Sequence, residues 1–323
     1  MKAAVLHELG KAPRYENFTE PVIQEDNQVL ITVKAAAIKN LDKARASGKH
    51  YASYTKLPDV VGQDCVGALP DGTRVYAAGI TGTMAEKALI DKNKYVVIPD
   101  GIDDAPAAAL PNTVIGAALA LLYRAGLKNN DTVLINGATG VTGAAAVQMA
   151  KHYGAKKVIA TGRNKAALDK LLQLGADEVI SLKQADEAFV NRLREINSQS
   201  HIDIVIDYTW GHPVELIIQA LRGASLHSVA GSVKLVTCGS MAGETIQLQS
   251  GVLRSSPIEI LGSGFGSLSG EALGKMNSEI LPEMMQLCAL GKLKIETVTC
   301  ELKDIETAWD MEVEPGKRLV VIV

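Results

Sequence analysis

The sequence predicts an α/β protein of two domains: a doubly wound parallel six-stranded sheet, and a second, partly open β-barrel domain. Three observations carry this. Between residues 131 and 262, continuous apolar runs such as Thr132-Val-Leu-Ile-Asn136 alternate with helical stretches, as expected of a parallel sheet covered on both faces. Before residue 99 the chain shows short β-rich runs punctuated by Gly, Pro, Asp and Asn, without that alternation. Its 323 residues are enough for two domains of about 100–200 residues each. The expected division is residues 1–118, completed by 270–323, and residues 119–269.

In chain order, residues 1–7, 28–38, 60–68, 74–78, 84–90 and 95–98 read as strands, with one helix at 40–46. Residues 103–110 and 113–124 are Ala- and Leu-rich and read as helices, with Pro106 in a first turn. The parallel strands are expected at 132–136, 157–161, 178–181, 203–207, 233–238 and 258–262. Helices fall between them near 141–153, 165–174, 186–197 and 213–221. A helix over about 270–290, a strand at 295–302, a short helix near 304–311 and a last strand at 318–323 complete the chain. A terminal strand needs a sheet to join, and the first domain is its natural host.

Composition narrows the function classes. Lys and Arg number 33 against 36 Asp and Glu, a net charge of −3. That balance builds no basic field for nucleic acid, and 4% aromatic residues make no base-stacking groove. Apolar runs such as 114–122 are too short to span a bilayer, and the first ten residues lack the apolar core of a secretory signal. Cys65, Cys238, Cys288 and Cys300 have no paired spacing, which suits a reduced, cytoplasmic protein.

The strongest local signal follows the strand at 132–136. Gly137-Ala138-Thr139-Gly140-Val141-Thr142-Gly143 opens an Ala-rich helix, and a strand, a glycine turn and a helix N-terminus together offer backbone N–H groups to a pyrophosphate. It is no P-loop, since no Gly-Lys-Ser/Thr follows. The next strand runs into Gly162-Arg163-Asn164-Lys165, where an NAD site presents a carboxylate to the ribose. None stands there. Arg163 and Lys165 fit a 2′-phosphate instead, and cations at a helix start oppose the helix dipole unless an anion binds. NADPH is therefore expected over NADH. Cys238-Gly239-Ser240 and Gly264-Phe265 follow the fifth and sixth strands, at the carboxyl ends where such sheets bind ligands. Trp210, after the fourth strand, either lines the adenosine side or covers the sheet edge.

No metal site is expected. A structural zinc needs clustered cysteines, and His50, Asp64 and Cys65 form no ligand pattern. Tyr153 and Lys157 match a Tyr-x-x-x-Lys pair by letters alone, closing one helix and opening the next strand.

These motifs, in this order, resemble the zinc-independent, quinone oxidoreductase type of the medium-chain dehydrogenase/reductase superfamily. The resemblance covers nearly the whole chain. It rests on Met1-Lys-Ala-Ala-Val5, Lys34-Ala-Ala-Ala-Ile-Lys-Asn40-Leu-Asp42, Pro58-Asp-Val-Val-Gly62, Asp71-Gly-Thr-Arg-Val75, the glycine turn, Leu174-Gly-Ala-Asp177 and Gly316-Lys-Arg318. Zinc-dependent relatives have Cys before that Asp and a Gly-His-Glu segment; this chain has Lys39-Asn40 and Gly62-Gln63-Asp64. The resemblance implies a GroES-like barrel domain, a Rossmann NADP-binding domain, and hydride transfer from NADPH to a quinone or to the C=C bond of an enone or enal.

It also marks candidate site residues. Tyr51 is the candidate for substrate orientation or proton donation, against the reading of a surface loop tyrosine. Asn40 and Lys39 either bind an acceptor oxygen or cap a helix in solvent. The strand-end backbones at Cys238–Ser240 and Gly264–Phe265 are implied to hold the nicotinamide and its ribose. A contrasting class, an NADPH-binding redox sensor or structural protein with little turnover, stays open because no catalytic acid is unambiguous. The strand at 258–262 falls at a sheet edge without lysine, and an apolar edge needs a cover. A homodimer through that strand is the expectation.

Overall fold

The computed structural model describes residues 1–222 and 231–323. The chain forms two compact units, Met1–Asn112 with Lys275–Val323, and Thr113–Gly274. The junctions fall at 112/113 and 274/275 rather than at 118/119 and 269/270. No linker marks the first one: the two helices expected at 103–110 and 113–124 are one helical stretch, Asp104–Ala118 running on as a π-helical Leu119–Ala125. That stretch, Asp104–Ala125, is long and apolar enough to cross a membrane by length and composition, unlike the shorter runs read from the sequence. Its most apolar window is 72% buried against protein, and an apolar core helix meets the same criteria.

In the first unit, β1 (Lys2–Leu6) pairs with β2 (Arg14–Asn17) and β4 (Asp59–Val60). The larger sheet uses β3 (Gln28–Ala37), β5 (Asp64–Ala68), β6 (Arg74–Gly79) and β7 (Lys87–Val97). Strand β3 pairs with both β5 and β7, and β6 bridges those two, so the four strands close on themselves. The two strands expected at 84–90 and 95–98 are one. Strand β7 serves β3 through Lys87–Asp91 and β6 through Tyr95–Val97, with Ile90 also opposite Gly79 of β6 across a register shift. Strand β2 was not legible because Arg-Tyr-Glu-Asn has no alternation; pairing with β1 makes it a strand.

The second unit carries β8 (Thr132–Asn136), β9 (Lys157–Gly162), β10 (Glu178–Ser181), β11 (Ile204–Asp207), β12 (Val233–Thr237) and β13 (Ile258–Gly262). All are parallel, in the order β10-β9-β8-β11-β12-β13. This is the doubly wound order with its switch point between β8 and β11. Leu134, Ile159, Val205 and Leu235 from the strands share one core with Phe189, Leu193, Val214 and Ile217 from the helices Asp186–Gln199 and Gly211–Leu221.

The tail returns to the first unit. Strand β14 (Glu296–Glu301) lies parallel to β15 (Lys317–Ile322), and β15 runs antiparallel to the end of β3. Val321, Ile305 and Trp309 thereby join Leu6, Ile31 and Met84 in the barrel core.

Candidate functional site

The glycine turn is held from below by a buried polar network. Asn136 ends β8 and donates from Nδ2 to Asp207 Oδ1 at 2.8 Å and to Thr209 Oγ1 at 2.7 Å. The Thr161 hydroxyl donates to Asn136 Oδ1 at 2.5 Å and accepts from the Gly137 N–H at 3.3 Å. Three strand ends are thus tied together across the switch point. Burial pushes the Asp207 carboxyl up, against the hydrogen bonds from Thr209 and Asn136. Gly137 has φ +80°, and a Cβ there would meet Thr209 Cγ2 at 2.6 Å, so only glycine fits.

The turn suits a pyrophosphate. A Cβ at Gly140 would meet no atom within 4 Å, which leaves the face of the turn open to close approach. The helix Val141–His152 begins there with Gly140 as its cap, so the first-turn N–H groups at Val141, Thr142 and Gly143 point at whatever binds. Thr139 lies inside the turn, its side chain packed on Gly162.

At the end of β9 the residues divide. Arg163 is exposed beside Gly162. Asn164 is the helix cap, its Oδ1 accepting from the Ala167 N–H at 2.9 Å. Lys165 is 89% exposed and pairs with Asp169 at 3.1 Å, a loose surface pair. Sequence reasoning missed a third cation. Ser181 of β10 sits in register with Gly162, and Lys183 follows it, exposed, its N–H donating to Ser181 Oγ at 3.0 Å. The pairing of β9 with β10, invisible in the sequence, brings it there.

The ends of β12 and β13 place the remaining residues. The Cys238 N–H donates to the Asp207 carbonyl at 2.7 Å; burial and the nearby Asp207 push its thiol up to about 12. Gly239 packs on the Tyr208 backbone, where a Cβ would lie 3.1 Å from the carbonyl oxygen. Ser240 donates to Glu244 at 2.7 Å. Gly264 donates its N–H to Ser267 Oγ at 2.9 Å, and Phe265 opens the short turn Phe265–Ser267; the Phe265 side chain lies outside the described residues. Trp210 has φ +52° and caps Gly211–Leu221, packed beside the sheet core.

In the first unit Lys39 and Asn40 part company. Asn40 is exposed at the start of the helix Asn40–Ala46. Lys39 is not in solvent: it is 2% exposed, its ammonium 2.7 Å from Asp64 Oδ1 and 3.4 Å from Asp42 Oδ2. Asp42 also accepts from the Lys39 N–H at 2.9 Å. Burial pulls the Lys39 pKa down, but Asp64 and Asp42 reverse it and hold the group above the ordinary lysine value. Burial wins at Asp42, whose carboxyl is pushed up despite Lys39. The Tyr76 phenol, pushed well up by burial and by Asp64, lies near that carboxylate, and the largely buried Arg318 lies within electrostatic reach of Asp42 and Asp64. Two cations face two anions.

Tyr51 is 97% exposed, its ring centroid 4.2 Å from that of His50. Three residues on, Tyr54 is the inward tyrosine. It lines a cavity of about 460 Å³ with Arg45, Asp59, Gly62, Gln63 and Gly79. The Arg45 guanidinium stacks 4.8 Å from its ring centroid. Among the described residues Gln63 Nε2 is buried without a hydrogen-bond partner, and Tyr54 Oη, also buried, makes no close hydrogen bond, although the Gly62 N–H bears on it. Burial pushes the Tyr54 phenol up to about 12. At about 460 Å³ the cavity is in the size range of small-molecule sites. The His50-Tyr51-Ala-Ser-Tyr54 loop gives no sign in sequence of which tyrosine turns inward.

The zinc candidates do not converge. Among the described residues no three His, Cys, Asp or Glu side chains group as metal ligands. Cys65 is fully buried, with its thiol pushed up by burial; Asp64 is taken by Lys39; His50 Nδ1 accepts from the Ala52 N–H at 3.1 Å.

Residues 141–289 match the family model described as zinc-binding dehydrogenase. Quinone oxidoreductase of Sus scrofa is 32% identical over 195 residues, 57% of this chain and 58% of that protein. The solved quinone oxidoreductase of Thermus thermophilus, whose structure was determined also in complex with NADPH, superposes with a TM-score of 0.77. It is 25% identical and covered completely, as is this chain. The chain is similar to the quinone oxidoreductase-like members of the medium-chain dehydrogenase/reductase superfamily and shares their two-domain fold. The NADPH-dependent alkenal/one oxidoreductase of Arabidopsis thaliana chloroplasts is 35% identical over 184 residues, 51% of this chain and 47% of that protein. The chain thus spans less than two thirds of the length of these curated relatives.

Proposed function

We propose that the chain is an NADPH-dependent reductase that passes hydride to a quinone or to the C=C bond of an α,β-unsaturated carbonyl, without zinc. The carrying observation is the end of β9, where Gly162, with no room for a side chain against Thr139, is followed by exposed Arg163 and neighboured by Lys183. No carboxylate is available to hold a ribose 2′-hydroxyl, and the cations suit a 2′-phosphate. NADPH, when bound, supplies the hydride.

The chain's own residues do the rest. The Gly137–Gly143 turn and the first-turn N–H groups bind the pyrophosphate, with the strand-end backbones at Cys238–Ser240 and Gly264–Phe265 holding the nicotinamide side. In the first unit, Tyr54 is protonated at neutral pH, so its O–H is a donor to the acceptor oxygen, and Gln63 Nε2 is a second donor. A conjugated acceptor delocalises the incoming charge to that oxygen, where donors stabilise it. Tyr51 and Asn40, both exposed, stand as outer contacts of a bound acceptor. Relatives named for quinone and alkenal/one reduction support this acceptor class. A cytoplasmic homodimer paired through β13 belongs to the same reading.

The contrasting reading, an NADPH-binding redox sensor or structural protein with little turnover, predicts cofactor binding without acceptor-dependent oxidation. Acceptor-dependent NADPH oxidation across quinones and enals tests the proposal. Tyr54→Phe should raise the acceptor KM or lower kcat without weakening NADPH binding; unchanged kinetics would remove Tyr54 from the site.

A further inference from the structure

We propose that Lys39 is a positioning residue: its buried ammonium ties the start of the helix Asn40–Ala46 to β5 through Asp64, and so sets the Gly62–Gln63 wall of the 460 Å³ cavity. This rests on reading that cavity as the acceptor site.

The tie joins two elements that otherwise meet through the apolar core, where Ala46 and Cys65 lie in one cluster. On the helix side, Asp42 accepts from the Lys39 N–H at 2.9 Å and fixes the first turn. On the strand side, Lys39 Nζ reaches Asp64 Oδ1 at 2.7 Å, and Asp64 follows directly on Gln63. The backbone there is already threaded tightly. The Gly79 N–H donates to the Gln63 carbonyl at 2.8 Å, and Thr83 Oγ1 donates to the Asp64 carbonyl at 3.1 Å. Gly62 has φ +98°, and a Cβ would meet Thr83 Oγ1 at 2.5 Å. Asp64 is the first residue of β5, with a register partner in β6 (Ala78) but none in β3, whose pairing begins at Val66. A side-chain bond from Asp64 to a fixed cation adds a second anchor at that strand end and so holds the adjoining Gly62–Gln63 segment.

Stability alone does not explain the arrangement. A buried ion pair gains little over a well-packed apolar pair of the same volume, whereas its directional bonds hold one geometry among several close-packed ones. Lys39 lines a smaller cavity of about 200 Å³ with Asn40, Lys43 and Arg318, while Gln63, next to its partner, lines the larger. Asp42 and Asp64 without Lys39 would be two buried like charges with only Arg318 to offset them, so the single deletion is a poor probe.

The test therefore uses Lys39→Arg, which keeps the charge, and the double variant Lys39→Met with Asp64→Asn, which removes the pair at constant net charge. Thermal unfolding and steady-state kinetics are measured with 1,2-naphthoquinone and NADPH. The double variant, in which Asp42 also loses its ion pair, should keep its KM for NADPH even where its melting temperature falls, while the quinone KM rises about tenfold or more; Lys39→Arg should show little of that loss. A merely structural role would shift both KM values with the melting temperature, and a quinone KM equal to wild type would overturn the proposal. Equilibrium dialysis of the quinone separates this from the reductase reading. A wild type that binds quinone without oxidising NADPH ends that reading, and the same tenfold loss of binding in the double variant still upholds the tie. A wild type that binds no quinone overturns the cavity assignment, and the tie's role with it.

Discussion

The side chain of Thr139 fills the space that any Cβ at Gly162 would need, so the glycine turn and the end of β9 are one packing unit. The turn after β8 and the end of β9 cannot change independently. Gly162→Ala should destabilise the protein by about 1–3 kcal/mol, the usual cost of overpacking. Adding Thr139→Ser, which removes the methyl group nearest the new Cβ, should recover part of it. Urea unfolding of the two single variants and the double variant measures the coupling, and strict additivity would refute the contact.

Arg163 and Lys165 are unequal. Lys165 is engaged with Asp169, while Arg163 shows no ion pair among the described residues. Arg163→Ala should weaken NADPH by the roughly 1.5–3 kcal/mol of a charge-assisted contact and leave NADH nearly unchanged; Lys165→Ala should cost less. Isothermal titration with both cofactors checks this, and equal weakening of NADPH and NADH would reject the 2′-phosphate assignment.

The Lys39 cluster fixes the sign of a pH effect. Lys39 is held above its ordinary 10.5 by Asp64 and Asp42. Its contribution is fully present below about pH 10.5 and lost as pH rises through the higher folded value. Between neutral pH and about pH 9 the tie should not titrate. In urea unfolding taken above that range, wild type should lose stability faster than the Lys39→Met, Asp64→Asn double variant. Parallel curves would show that Lys39 does not carry the effect.

Much of the second unit was legible because each signal was local. The six strands and their order follow from apolar runs and glycine turns. The first unit was harder. Strand β7 hides its continuity behind the polar Asp91-Lys-Asn-Lys94, and β2 is a strand only because β1 pairs with it. The site divided in the same way. The glycine turn could be read from spacing, whereas Tyr54, Gln63 and Lys183 are brought into place by folding between segments. Lys39 was visible as a candidate, but its burial depends on Asp64, 25 residues away in sequence.

Among the described residues strand β13 pairs only with β12, leaving its outer edge at the end of the sheet. Such an edge pairs readily with its own copy. Ile260→Pro should remove a ladder hydrogen bond and yield monomer or insoluble protein. Light scattering of the unmodified chain at about micromolar concentration should report a dimer, and a monomer would exclude pairing through β13.

Hydride transfer from NADPH to a conjugated acceptor is measured most directly as cofactor oxidation, followed with saturating 1,2-naphthoquinone and then with simple enals. Oxidation should depend on the acceptor, run faster with NADPH than with NADH, and persist in protein treated with a chelator. No acceptor-dependent oxidation across the panel, or activity that disappears with chelation and returns with zinc, would be incompatible with a zinc-free reductase.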